Sequence, residues 1–237
     1  MDDVRDDYEY LNESSITKVM KASTSRDICY AIPKEFVSEE DYLAFGTRLD
    51  SIDFSTATNL KTIGDYAFFA TSLSSIKFGN NPTLEKIGNS AFIYNELREL
   101  DLSGVTSLYE IDNSAFSSNY LTTVKFPNSL TIIGDQAFVD NYIRRFDAKN
   151  SNLETIGYEA FANNIIEYIT LPEGLTYVAP YAFENNYLGN LVIPSTLYRI
   201  GYGAFYNSGI TSLTIKEGVS RIEERAFCYN YGLQSLR

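Results

Sequence analysis

The dipeptide Ala-Phe recurs eight times along this chain, at 67–68, 91–92, 115–116, 137–138, 160–161, 182–183, 204–205 and 226–227. Successive copies stand 22 to 24 residues apart. A fixed period of that length signals stacked supersecondary units, none of which can bury its apolar face alone. The chain must therefore build a solenoid whose core runs continuously along the stacking axis.

The residues around each Ala-Phe keep the same register. Upstream stands Leu-x-x-Ile-Gly, as in Leu60…Ile63-Gly64, Leu84…Ile87-Gly88, Leu130…Ile133-Gly134, Leu153…Ile156-Gly157 and Leu197…Ile200-Gly201. Downstream an apolar triplet recurs at spacing 0, 3, 5, as in Leu97/Leu100/Leu102, Leu121/Val124/Phe126 and Leu188/Leu191/Ile193. The end of that triplet alternates with period two, the signature of a strand with one buried face. Pro127, Pro172 and Pro194 close three of these strands, because proline cannot continue a ladder. The Leu and Ile of Leu-x-x-Ile add core residues on the return side. Asp65, Asn89, Asn113, Asp135 and Pro180 suit the first turn of a helix. Gly-x-x-Ala-Phe is accordingly expected to form a short helical turn on the outer wall, with its phenylalanines in an aromatic spine. A parallel β-helix, whose coils have comparable length, is the alternative.

Asparagine follows the phenylalanine by three residues in six coils: Asn95, Asn119, Asn141, Asn164, Asn186 and Asn230. An amide with two donors and an acceptor can satisfy backbone groups of its own loop and of a neighbour. A buried asparagine ladder is expected.

These units resemble the leucine-rich repeats of the BspA-like family, which read approximately Leu-x-x-Ile-Gly-x-x-Ala-Phe and then Leu-x-x-Ile-x-Ile-Pro. The resemblance covers about residues 49–237. It implies an α/β solenoid, a leucine-rich-repeat array of 22–24-residue coils with short parallel strands on the concave face. It also implies bacterial or protist surface proteins that adhere to host matrix or to other cells.

Residues 1–47 depart from the repeat. An acidic start, with six carboxylates between residues 2 and 13, precedes Ser38-Glu39-Glu40-Asp41 and Tyr42-Leu43-Ala44-Phe45, which read as a short capped helix covering the open end of the stack. Residues 48–237 are the solenoid, with the last repeat incomplete. Its stop in mid-strand and the acidic start point to a piece of a longer protein, and so to an extracellular or cell-surface origin; a cytoplasmic location is the alternative. The sequon at Asn12 carries no argument.

The balance of 19 basic and 31 acidic residues gives a net charge of −12. Such a surface repels phosphate backbones and anionic headgroups, which excludes nucleic acid as a partner. No apolar run is long enough for membrane insertion. The chain has no histidine, the commonest general base and metal ligand. Its glycines fall once per repeat as turn residues. No catalytic residue, metal site or cofactor is expected, and the chain does not read as an enzyme. Cys29 and Cys228 stand roughly eight coils apart, about 40 Å at ~4.8 Å per coil, too far to pair.

Function is therefore sought on the strand positions that point outward. One row runs Lys77, Asp101, Lys125, Asp147, Thr170, Val192, Thr214, and its neighbour runs Ser75, Glu99, Thr123, Arg145, Tyr168, Asn190, Ser212. The first four of the former alternate in sign and can satisfy one another across strands. The candidate binding positions are Lys125, Arg145, Asp147, Tyr168, Thr170, Asn190, Val192, Ser212 and Thr214, with the neutral half from Thr170 onward the more available. Eight tyrosines gather between Tyr158 and Tyr206. Tyrosine serves recognition surfaces and solenoid walls alike, and Tyr168 stands out as aimed off the sheet. The expected partner is a protein, such as host extracellular matrix or a cell surface. An intracellular scaffold and a structural spacer for another domain are the rival roles.

Overall fold

The structure, a computed structural model, describes residues 49–236. The acidic segment, the capped helix expected at 38–45, Cys29 and the Asn12 sequon lie outside the described residues. Two rows of short parallel strands alternate along the chain. The first row holds Ser51–Asp53, Ser75–Lys77, Glu99–Asp101, Thr123–Lys125, Arg145–Asp147, Tyr168–Thr170, Gly189–Ile193, Ile210–Ile215 and Ser235–Leu236. The second holds Thr62–Ile63, Lys86–Ile87, Glu110–Ile111, Ile132–Ile133, Thr155–Ile156, Tyr177–Val178, Arg199–Ile200 and Arg221–Ile222.

The strands of the first row fall on the period-two segments of the repeat. Leu100, Val124, Phe146 and Leu191 point into the core, and their neighbours point out. This row is divided into sheets of two or three strands, whereas the second row forms one continuous eight-stranded sheet. The second sheet contains the Ile of Leu-x-x-Ile, and Ile63, Ile87, Ile111, Ile133, Ile156 and Ile200 are all fully buried.

The outer wall differs from the expectation: it is not helical, and no described residue is helical. The residues two before and two after each phenylalanine sit in the left-handed region, as at Ser114 (φ 53°) and Ser118 (φ 52°), or Glu159 (φ 51°) and Asn163 (φ 55°). A right-handed helix cannot pass through such positions. Their hydrogen bonds explain the choice. The N–H groups of Ser114, Phe116 and Ser118 donate to the carbonyls of Asp135, Ala137 and Val139 in the next coil. Those of Ala115 and Ser117 close turns onto Asp112 and Ser114. Alternate amides thus point along the stack, and the wall is a run of turns bonded from coil to coil. The residues read as helix starters do another job: Asp65, Asn113 and Asp135 accept through Oδ1 from the N–H of Asn89, Asp135 and Tyr158 one coil on. The molecule is a β-solenoid of leucine-rich-repeat type.

The spine is present. Phe92, Phe116, Phe138, Phe161, Phe183 and Phe205 are fully buried, with adjacent ring centroids 5.1–5.4 Å apart and nearly parallel. Each offset stack is worth about 0.5–1.5 kcal/mol beyond the area it buries. The asparagine ladder is present too. Asn141 Nδ2 donates to the Phe116 carbonyl of the preceding coil at 2.9 Å, and its Oδ1 accepts from the Leu121 N–H at 3.0 Å. Asn119, Asn164, Asn186 and Asn230 repeat this arrangement. Where serine or threonine replaces the amide, backbone takes over, with the carbonyls of Thr71 and Ser208 accepting from the N–H of Leu49 and Leu188. Coils stack so closely that a Cβ on Gly157 would lie 2.5 Å from the Gly134 carbonyl carbon, which accounts for glycine after the buried isoleucine.

Candidate binding surface

The first row of strands brings the nine candidate residues onto one face. Glu99 and Asp101 lie opposite Thr123 and Lys125, Arg145 and Asp147 opposite Tyr168 and Thr170, and Asn190 and Val192 opposite Ser212 and Thr214. The charged half is satisfied internally. Lys125 Nζ sits 2.6 Å from Asp101, Lys77 3.2 Å from Asp53, and Arg145 3.0 Å from Asp147 in its own strand. Burial raises the Asp101 carboxyl, but hydrogen bonds from Lys125 and Ser103 outweigh it and hold the group below its ordinary value. Lys125, Arg145 and Asp147 are therefore engaged in keeping the sheet charge-balanced. That arrangement favours the structural role of this half.

The other half is different. The strands Tyr168–Thr170, Gly189–Ile193 and Ile210–Ile215 carry no charged residue. The last two are also the longest strands among the described residues and pair in register from Asn190–Ser212 to Ile193–Ile215, after a bulge at Gly189. Tyr168 is 63% exposed and Val192 41%. The charged pair Glu173 and Lys216 bounds this patch at one end of the strands.

The tyrosines separate into groups that the sequence does not distinguish. Tyr158, Tyr181, Tyr202, Tyr206 and Tyr229 form a chain of ring contacts, chiefly edge-on, along the outer wall. A hydrogen bond to Glu159 raises the Tyr158 hydroxyl to about 12. These rings are packing for one another. Tyr177 lies in the return sheet and Tyr198 directly precedes its strand Arg199–Ile200, with Arg199 over the Tyr177 ring. Tyr168, Tyr187 and Tyr198 are each 63% exposed and free of ring contacts among the described residues, and of these Tyr168 lies in the first row of strands and Tyr187 just before one of its strands, whereas Tyr198 adjoins the return sheet. Sequence reasoning missed the row containing Tyr187. Its signal is Asn-Tyr, since Tyr120, Tyr142, Tyr187 and Tyr231 each follow a ladder asparagine directly and emerge at the edge of the strand face.

Among the described residues no group of three His, Cys, Asp or Glu side chains gathers as a metal site, and no helix is long and apolar enough to cross a membrane. Cys228 is a free, exposed thiol.

The family model described as "BspA type Leucine rich repeat region (6 copies)" matches residues 38–163 and 109–234. The chain belongs to the BspA-type leucine-rich-repeat family. No curated protein matches it. Among solved structures, this BspA-type chain is similar to a leucine-rich repeat protein from Bacteroides ovatus, at 19% identity over 90% of this chain and 70% of that one, TM-score 0.41. It is also similar to the pneumococcal vaccine antigen PcpA, at 17% identity over 78% and 73%, TM-score 0.35. A third is a leucine rich cell surface protein from Faecalibacterium prausnitzii, at 15% identity over 79% and 82%, TM-score 0.32.

Proposed function

We propose that this BspA-type array is a non-catalytic protein-binding module, cell-surface or secreted, that adheres to host or matrix proteins through the strand face between residues 166 and 215. The observation that carries the reading is the uncharged patch of Tyr168, Thr170, Asn190, Val192, Ser212 and Thr214, the last four paired strand to strand, in a chain of net charge −12. Interface centres are depleted of charge and enriched in tyrosine. The adhesive role is what the family resemblance implies.

Binding of the chain to a panel of extracellular-matrix proteins and host-cell surfaces at physiological salt tests this. Saturable binding is expected, weakened about tenfold or more by Tyr168→Ala or Val192→Arg, as for truncation or obstruction of an interface centre. The thermal midpoint should not move, because both side chains are exposed. Binding that ignores both changes would sink the assignment of the face. No binding to any member of the panel would favour the spacer or the intracellular scaffold.

A further inference from the structure

The repeat allows the same place in different coils to be compared, and one place changes character. Tyr120 follows ladder Asn119, and its N–H donates to the Leu97 carbonyl of the coil before. Its ring carries the guanidinium of Arg98, the next residue along that coil, at 5.8 Å from the centroid. Tyr187 follows ladder Asn186, and its N–H donates in the same way to the Ile166 carbonyl. The residue in the place of Arg98 is then Glu167. The place held in one coil by a cation that covers the tyrosine is held in another by an anion. The ring is also barer, 63% exposed at Tyr187 against 46% at Tyr120, which Arg98 covers and on which Tyr142 stacks at 6.1 Å. No guanidinium or aromatic ring contacts Tyr187 among the described residues.

We propose that Tyr187 and Glu167, with Tyr168 beside them, receive an arginine side chain from a basic segment of the partner protein. This rests on the reading of the 166–215 face as a protein-binding surface and names what that surface takes. The tyrosine face attracts a cation through its ring quadrupole. The carboxylate of Glu167 supplies charge-assisted hydrogen bonds in the same place, and a planar guanidinium suits both better than an ammonium does. Tyrosine rings elsewhere in the molecule already hold guanidinium groups, Tyr177 that of Arg199 at 5.1 Å and Tyr202 that of Arg225 at 5.7 Å. Glu167 does have a neighbour, Arg144 at 3.7 Å, but both side chains are half exposed or more. An exposed contact of that kind contributes little and leaves the carboxylate able to take a second partner. Access is open on the C-terminal side, because Gly209 stands in the following coil where other coils have a tyrosine. The net charge of −12 draws basic segments toward the molecule.

Calorimetric titration of the whole chain with hexa-arginine and hexa-lysine peptides at physiological salt tests the proposal. Hexa-arginine is expected to bind saturably and more tightly than hexa-lysine. Tyr187→Ala and Glu167→Gln should each weaken it about five- to tenfold, with less than additive losses in the double variant. Absence of saturable hexa-arginine binding, or binding indifferent to both substitutions, overturns the arginine site. The two readings separate through Val192→Arg. Protein binding lost in that variant but unchanged by Tyr187→Ala and Glu167→Gln overturns the arginine site and keeps the face. Hexa-arginine binding with the expected losses, beside protein binding indifferent to Val192→Arg, supports the arginine site and overturns the wider face.

Discussion

Asn141 shows what a single buried amide does in this molecule. Its Nδ2 donates to the carbonyls of Phe116, Phe138 and Val139, and its Oδ1 accepts from Leu121, so one side chain ties a tight turn to the coil before it. Asn141→Ala leaves the buried Leu121 N–H and the Phe116 carbonyl without these partners. Denaturant unfolding should show a loss of about 2–4 kcal/mol, each unsatisfied buried group costing about 1–3 kcal/mol. Asn141→Ser should cost less, because Ser208 in the same place keeps a 2.7 Å bond to the preceding phenylalanine carbonyl. Equal losses for the two variants would mean that the ladder bonds contribute little. Glu184 gives a second test with a definite sign. Burial, aided by the charge of Glu159, raises its carboxyl above the usual 4.5. The folded state therefore holds this proton longer than the unfolded state does. The associated stability is complete below 4.5 and is lost as pH rises through the raised value. Glu184→Gln should raise the thermal midpoint at neutral pH, and the gain should disappear in acid below that range. A gain that persisted in acid would assign the effect to something other than charge.

The outer wall is the element on which sequence and structure part. Gly-x-x-Ala-Phe fits a helical turn by spacing, but it equally fits two consecutive turns joined through left-handed residues. The hydrogen bonds that decide between them run to the next coil, more than twenty residues away, and leave no local trace. Composition also gives little warning, since Ser114, Gln136, Glu159, Tyr181 and Arg225 all occupy left-handed positions that glycine would suit better. The strands of the first row were legible because Val124 and Phe126 alternate with Thr123 and Lys125; two-residue strands such as Thr155–Ile156 are too short to alternate at all. For the candidate site, the neutral patch was legible from strand parity, whereas the sorting of tyrosines into wall packing and exposed rings depends on contacts between coils. Substitution at Ser114 separates the two wall conformations. A helix interior would favour Ala over Gly by about 1 kcal/mol. A residue at φ 53° with no side-chain hydrogen bond should favour Gly instead, with Ser114→Gly gaining up to about 1 kcal/mol over the parent and Ser114→Ala gaining nothing. The reverse order in unfolding experiments would restore the helix.

At the scale of the whole molecule, cohesion is carried between nearest neighbours. The ladder asparagines, the stacked phenylalanines and the wall amides each bind to an adjacent coil, while Glu173 and Lys216 reach across two. Such an array behaves as a row of coupled units, and a defect weakens the coils around it before it weakens distant ones. Phe138→Ala tests this, because its ring lies between Phe116 and Phe161 and also meets Phe126 edge-on. Removing a buried phenylalanine costs about 3–5 kcal/mol, a large share of a domain's stability. If coupling is short-ranged, hydrogen exchange should accelerate at the wall amides of Phe116, Phe138 and Phe161 and stay nearly unchanged at Phe205. Phe205→Ala should give the mirror pattern. Uniform acceleration in both variants would instead make the solenoid one cooperative unit. The outcome bears on binding, since the 166–215 face lies toward one end of the described coils. In a short-range array that face keeps its structure, and its affinity for a partner, when Phe138 is lost. In a cooperative one, binding and folding fail together wherever the defect is placed.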